Sequence, residues 1–362
     1  MSSYIKVLPG ENGDCFLLKL KTDSGIKNIL IDGGKGDLCH QELKKEFLRI
    51  KQANQRVNLL VVTHIDDDHI AGIIKLFEDK EIDTSIIDNA WFNSGTLISS
   101  STLSEEEISN REVIINTEPT SKKMSVGQGI SLEGYLNESG IWNKDIILTN
   151  QIHNLDSINI KILSPDVKTL EKLNKKWDKE KEKIGTKIAK EKKMAFTTDY
   201  DKSIEELCNQ EFKEDSSLFN RSSIAFLLEN ENYRLLMLGD SHPSVIVSSL
   251  KKLGYSEENK LKIDIMKVSH HASKKNTCPE LLKLLDCENF IISSDGSKHG
   301  LPNKQSLARI VKMMDKEVNF YFNYDSMKKV FSSEECDQYK IHCNYLDSSN
   351  DYTVGDKCGE IF

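Results

Sequence analysis

The chain has 362 residues, 38% apolar and 29% charged, a mix that excludes disorder, a collagen-like repeat and a coiled-coil rod. Its 57 acidic residues against 49 basic ones give a net charge of −8, so bulk electrostatics will not carry it onto nucleic acid or an anionic membrane. Any polyanion it handles must be met by a local patch. The stretch Met1–Lys6 lacks the basic-then-apolar layout of a signal peptide, and no apolar run reaches the length of a membrane span. Eight cysteines are scattered with no Cys-x-x-Cys pair, and Cys336, His342, Cys343 and Cys358 lack zinc-site spacing. The expectation is a cytoplasmic protein with reduced cysteines and no membrane partner.

Short apolar runs at Tyr4–Leu8, Cys15–Leu20 and Asn28–Ile31, separated by Gly-, Asn- and Asp-rich turns, predict strands. Leu43, Phe47 and Ile50 mark a helix face, Val57–Val62 another strand, and Ile70, Ile73, Ile74 and Phe77 a second helix. Ser94–Thr117 is a polar excursion, and Ile158–Leu163 returns as a strand. Next comes a Lys/Glu helix with one apolar stripe, Leu170, Leu173, Trp177, Ile184 and Ile188; residues 171–193 carry ten lysines against five acidic residues. Such a charge run is usually a solvated face, and a basic lid over an anionic substrate is its functional reading. Ile224–Leu228, Arg234–Leu238, Ile263–Val268, Phe290–Ser293, Asn319–Phe322 and Tyr339–Tyr345 complete the predicted strands. The grammar is α/β. Residues 1–310 read as one unit with an insertion at about 94–150 and a basic helical arm at about 168–215, and 311–362 add strands that complete or flank it.

The sharpest chemical signal is Thr63-His64-Ile65-Asp66-Asp67-Asp68-His69, between a buried strand and a helix. Packing does not gather two imidazoles and three carboxylates at a strand end, because unpaired charges there are costly to bury. Imidazole nitrogens and carboxylate oxygens are the ligand set of zinc, manganese or iron.

His-x-Asp-x-Asp-His after an apolar strand resembles the metallo-β-lactamase superfamily signature, with Asp66 replacing its second histidine. This variant is similar to the branch that holds the soluble hydrolase domain of competence DNA-uptake proteins and free-standing, defence-associated bacterial relatives. Further stretches fit in order. Pro9–Leu18 resembles the opening hairpin, Ile29–Gly34 the first motif with Asp32, Leu238-Gly239-Asp240 the fourth, and Lys267–Ser273 the fifth, with Ala272 in place of a glycine. Ser125–Gly129 is similar to a stretch before the middle strands.

The resemblance implies a metallo-β-lactamase αββα sandwich with helical insertions, and a hydrolase working through a hydroxide bridging two divalent ions, Mn2+ or Zn2+. Site one would be His64, Asp66 and the shared Asp240. Site two would be Asp68, His69, Asp240 and one of His270 and His271. Adjacent residues on an extended chain point opposite ways, so one of that pair is expected to be a ligand, and His270 is chosen. The third motif's histidine is missing at Asn220-Arg221-Ser222-Ser223, and either Asn220 or His153 would stand in for it. Asp32 would orient ligands. Ser273, Lys274, Lys275, Asn276 and Asn220 would meet a phosphate. Leu301 stands where the family has a histidine, which leaves His299 as the leaving-group acid. The expected substrate is nucleic acid, in anti-phage defence, with the arm offering a surface for a protein partner or a homodimer. The competing expectations are hydrolysis of a small molecule (a cyclic nucleotide, lactone or thioester) and a metal-poor binding module.

Overall fold

The computed structural model describes residues 3–101, 125–181 and 197–354. The first half runs β1 (Tyr4–Val7), β2 (Phe16–Thr22), β3 (Gly25–Ile31), α1 (Asp37–Gln52), β4 (Val57–Val61), α2 (Asp67–Glu78), β5 (Ala90–Trp91), α3 (Gly95–Ser100) and α4 (Ser125–Ser139). There follow β6 (Ile152–Leu155), β7 (Ile158–Ser164), α5 (Val167–Lys181), α6 (Ile204–Cys208), α7 (Leu218–Arg221), β8 (Ala225–Glu229), β9 (Arg234–Met237) and α8 (Pro243–Lys252). The chain continues through β10 (Leu261–Lys267), α9 (Pro279–Lys283), β11 (Leu285–Ile292), α10 (Lys304–Met314), β12 (Val318–Phe322), α11 (Ser333–Tyr339), β13 (Ile341–Tyr345) and β14 (Thr353–Val354).

Two sheets form, one of six strands in the order β14-β1-β2-β3-β4-β5, the other of eight in the order β13-β12-β11-β10-β9-β8-β7-β6. Each opens with antiparallel pairs and continues in parallel, from β3 to β5 in the first sheet and from β9 to β13 in the second. Strand alternation builds the layers. Phe16 and Leu18 of β2 meet Phe226 and Leu228 of β8 in a core between the sheets. The alternate residues face outward: Leu17 joins Leu43 and Phe47 of α1, and Leu227 joins Ile246 and Leu250 of α8. Strands buried on both faces account for the continuous apolar runs of the sequence. The architecture is the αββα sandwich of the metallo-β-lactamase fold.

Tyr339 ends a helix, α11, so the last long strand begins at Ile341 rather than at Tyr339. The first part of the basic arm is not a solvated helix: Leu170, Leu173 and Trp177 of α5 are buried in the core outside the first sheet. Trp177 lies so close to α3 and α4 that a Cβ on Gly95 or Gly129 would come within 2.1 or 2.5 Å of its ring. Ile184 and Ile188 lie outside the described residues. Among the described residues no helix is long and apolar enough to cross a membrane.

Candidate metal centre

Ligands in open α/β folds gather beyond the carboxyl ends of parallel strands, and the clustered side chains here come from those ends in both sheets. β3 leads into Asp32, β4 into His64–His69, β9 into Asp240, β10 into His270 and His271, and β11 into Ser293. The hairpin loop between β1 and β2 adds Asn12 and Asp14. It reaches the cluster because Gly13 lies on the backbone of Asp68, where a Cβ would sit 1.8 Å from the Asp68 carbonyl oxygen.

Four imidazoles surround one carboxylate oxygen. The Nε2 atoms of His64, His69, His270 and His271 lie 3.9, 3.5, 3.7 and 3.6 Å from Asp240 Oδ2. Asp66 Oδ2 is 3.7 Å from His64 Nε2, and Asp68 Oδ2 is 3.8 Å from His271 Nε2. Asn12 Nδ2 donates to Asp68 at 2.5 Å. Asp67 belongs elsewhere: it pairs with Lys35 and accepts from Gln128 Nε2 at 2.6 Å.

The other ring nitrogen of each histidine has a partner that fixes the tautomer. His69 Nδ1 donates to Asp32 Oδ2 at 2.8 Å, and His271 Nδ1 donates to the Ser293 carbonyl at 2.8 Å. His270 Nδ1 donates to Asn276 Oδ1 at 3.0 Å, that amide being oriented by its own donation to the Asp240 and Ser241 carbonyls. His64 Nδ1 lies 3.0 Å from both Thr63 Oγ1 and Ser223 Oγ; the Thr63 hydroxyl is committed as donor to Asp32, so it accepts from the ring. Every Nε2 therefore turns a lone pair toward Asp240. Those of His64, His69 and His271, together with Asp240 Oδ1 and Asp14 Oδ1, are buried without a hydrogen-bond partner. Lone pairs facing a carboxylate repel unless a cation lies between them, and imidazoles and carboxylates are good donors to divalent ions. The residues fit two such ions, one toward His64 and Asp66, one toward Asp68, His69 and His271, with Asp240 between.

The charges respond to this crowding. Burial would raise the Asp240 carboxyl, but His271, His69 and His270 hold it well below the usual carboxylate range. Burial would lower His69, and Asp240 with Asp32 overcome it, lifting the imidazole well above its ordinary value. His270 is lifted to about 9, against burial, by Asp240 and Asp215. Lys267, 1% exposed, forms an ion pair with Asp14, donates to the Gly239 carbonyl at 2.7 Å and stands 3.6 Å from Asp240 Oδ1. Burial would raise Asp14, and Lys267 with His271 and His69 brings it down to about 2.

Asp32 lies where the sequence puts it, accepting from the Thr63 N–H at 2.7 Å, the Thr63 hydroxyl at 2.6 Å and His69. Other expectations need correction. Both His270 and His271 face Asp240, because the chain there is not extended: φ is 49° at His270, 51° at His271 and 60° at Ala272. His271, rather than the expected His270, lies with Asp68 and His69. His153 stands in for nothing here, since it stacks on Trp91 with ring centroids 4.6 Å apart. Asn220, Ser273 and Asn276 are buried rather than open to a phosphate. Asn220 Nδ2 donates to Asp215 at 2.7 Å, Ser273 Oγ accepts from the Lys275 N–H at 3.2 Å, and Asn276 is committed as above. Lys274, Lys275 and His299 are exposed, and the His/Asp clusters of the described residues do not include His299. Asp14, Lys267, Asp215 and Ser223 were not assigned from sequence.

No protein-family model matches the chain, and no curated protein matches it. Among solved structures it is similar to a mutant of the CmlA β-hydroxylase, at 11% identity and TM-score 0.36 over 96% of this chain and 52% of that one. It is also similar to CmlA itself, a diiron β-hydroxylase from Streptomyces venezuelae, at 11% identity and TM-score 0.38 over 95% and 52%. A protein of unknown function from Enterococcus faecalis follows at 8% identity and TM-score 0.28 over 97% and 79%. The chain spans about half the length of the two CmlA structures. Likenesses this distant carry nothing about chemistry.

Proposed function

We propose that this chain is a metal-dependent phosphodiesterase that cleaves nucleic acid, with two divalent ions, manganese or zinc, held about Asp240. The observation that carries the reading is the convergence of four Nε2 lone pairs on Asp240 Oδ2, each oriented from behind. Bound ions there supply a coordinated water of lowered pKa and neutralise charge developing on a phosphate. The protein's part is to fix geometry. Asp32 locks the ring of His69, Ser293 locks His271, Asn12 steadies Asp68, and Lys267 holds the far oxygen of Asp240. Exposed Lys274 and Lys275, just past the paired histidines, give an acidic chain a local cationic patch for a polyanion. His299 is the side chain assigned to hand a proton to the leaving oxygen. A role in anti-phage defence rests on the sequence resemblance alone.

The test is hydrolysis of labelled DNA, RNA and a generic phosphodiester with manganese and zinc in parallel, beside Asp68→Ala. The reading expects a nucleic acid to be cleaved by wild type and left intact by the variant. Cleavage of the generic diester alone would move the substrate to a small molecule. No hydrolysis by protein that carries two ions would contradict the reading.

A further inference from the structure

The ion flanked by His64 and Asp66 is short of nitrogen, since His69 and His271 serve its neighbour. We infer that His270 is the missing ligand of that ion, aimed by Asp215; this rests on the two-ion reading above.

The ring of His270 spans the gap between α7 and Asp240. Its Nδ1 edge faces Asn276 Oδ1 at 3.0 Å, Asn220 Nδ2 at 3.3 Å and Asp215 Oδ2 at 3.5 Å. Its Nε2 edge faces Asp240 Oδ2 at 3.7 Å, within the range set by the other three imidazoles. Two ligand atoms each about 2.1 Å from one ion sit roughly 3–4 Å apart, so these separations suit a shared cation. Asn220 lies behind the ring and donates to Asp215, so α7 contributes support here and no nitrogen donor of its own. Asp215 is held in turn by the Ser217 N–H at 3.1 Å, and His242 Nε2 lies 3.5 Å away. A carboxylate fixed on three sides beside an imidazole is the arrangement that orients metal-ligating histidines. The backbone makes the placement affordable: the left-handed run from His270 to Ala272 turns two successive side chains to one centre, which an extended segment cannot do. His270, at 23% side-chain exposure, is the most open of the four imidazoles, so an ion it holds is the one nearer solvent.

The test is calorimetric titration of the metal-free full chain with Mn(II), with bound metal counted by elemental analysis. Wild type is expected to take up two ions. His270→Ala is expected to keep one at wild-type affinity and to bind the other at least tenfold more weakly. His64→Ala is expected to weaken the same ion, so His64→Ala/His270→Ala still holds one ion tightly. Asp215→Asn, which leaves every ligand in place, should weaken that one ion 10–100-fold and serves as the second variant should His270→Ala fail to fold. Two undiminished binding events in either folded single variant would overturn the assignment of His270. A double variant that loses both ions would place His270 on the other site and overturn it equally. Fewer than two ions on wild type would overturn the two-ion reading beneath it.

Discussion

Replacing Lys267 by methionine removes one positive charge from a place where three negative groups and no water meet. Its ammonium pairs with Asp14, donates to the Gly239 carbonyl and faces Asp240 Oδ1, and both Lys267 and Asp14 are 1% exposed. Breaking a buried pair by deleting one partner costs about 3–5 kcal/mol, because the survivor stays buried and uncompensated. Asp14 Oδ1 and Asp240 Oδ1 already lack hydrogen-bond partners, so neither has a spare contact to fall back on. Against a total stability of about 5–15 kcal/mol that is a large fraction. Urea unfolding in the presence of a chelator should show the loss as a lower midpoint at unchanged slope. With manganese added the deficit should shrink, since bound cations take over the compensation. Lys267→Met/Asp14→Asn should unfold within about 2 kcal/mol of wild type, because no net buried charge is then stranded. A cost below about 1 kcal/mol for Lys267→Met, or a double variant as poor as both singles added, would refute the reasoning.

Trp177→Ala should cost about 3–5 kcal/mol in thermal or urea unfolding, since its ring fills the space between Gly95 and Gly129. Asp32→Ala should weaken manganese binding 10–100-fold in calorimetry, as it frees the ring of His69. His153→Ala should leave both the metal count and the affinities unchanged, because that ring belongs to the Trp91 stack. Metal uptake by the metal-free protein should strengthen as pH rises toward about 9. Below that value His270 carries a proton that Asp240 and Asp215 favour and an ion must displace; titrations at several pH values read the slope.

The candidate site was legible where its chemistry broke the local rules of packing. A strand that ends in two histidines and three aspartates has no reason to do so in a core, and Asp66, Asp68 and both imidazoles do converge. Asp67, chemically identical, turns outward to Lys35 because it opens α2 between them, which spacing alone hinted at. Asp14 read as part of a turn, since a Gly-Asp step in a hairpin is ordinary; its partner Lys267 stands 253 positions later, and no local pattern joins them. The His270–His271 pair misled for a backbone reason. Alternation holds for extended chain, and three successive non-glycine residues at positive φ leave no mark in the sequence. A glycine at position 272, as the resemblance expected, would have been the warning. For the fold, strands buried on both faces announced themselves as continuous apolar runs, whereas α11 ran into β13 without a break that composition could locate.

The central claim is that two divalent ions flank Asp240, and the most direct measurement is an anomalous difference map at the manganese edge from crystals soaked in Mn(II). The account predicts two peaks about 3.5–4 Å apart. One should lie against His64 and Asp66, the other against Asp68, His69 and His271, with Asp240 between them. A folded protein whose soaked crystals show no peak at Asp240, or a peak only at surface carboxylates, would contradict it.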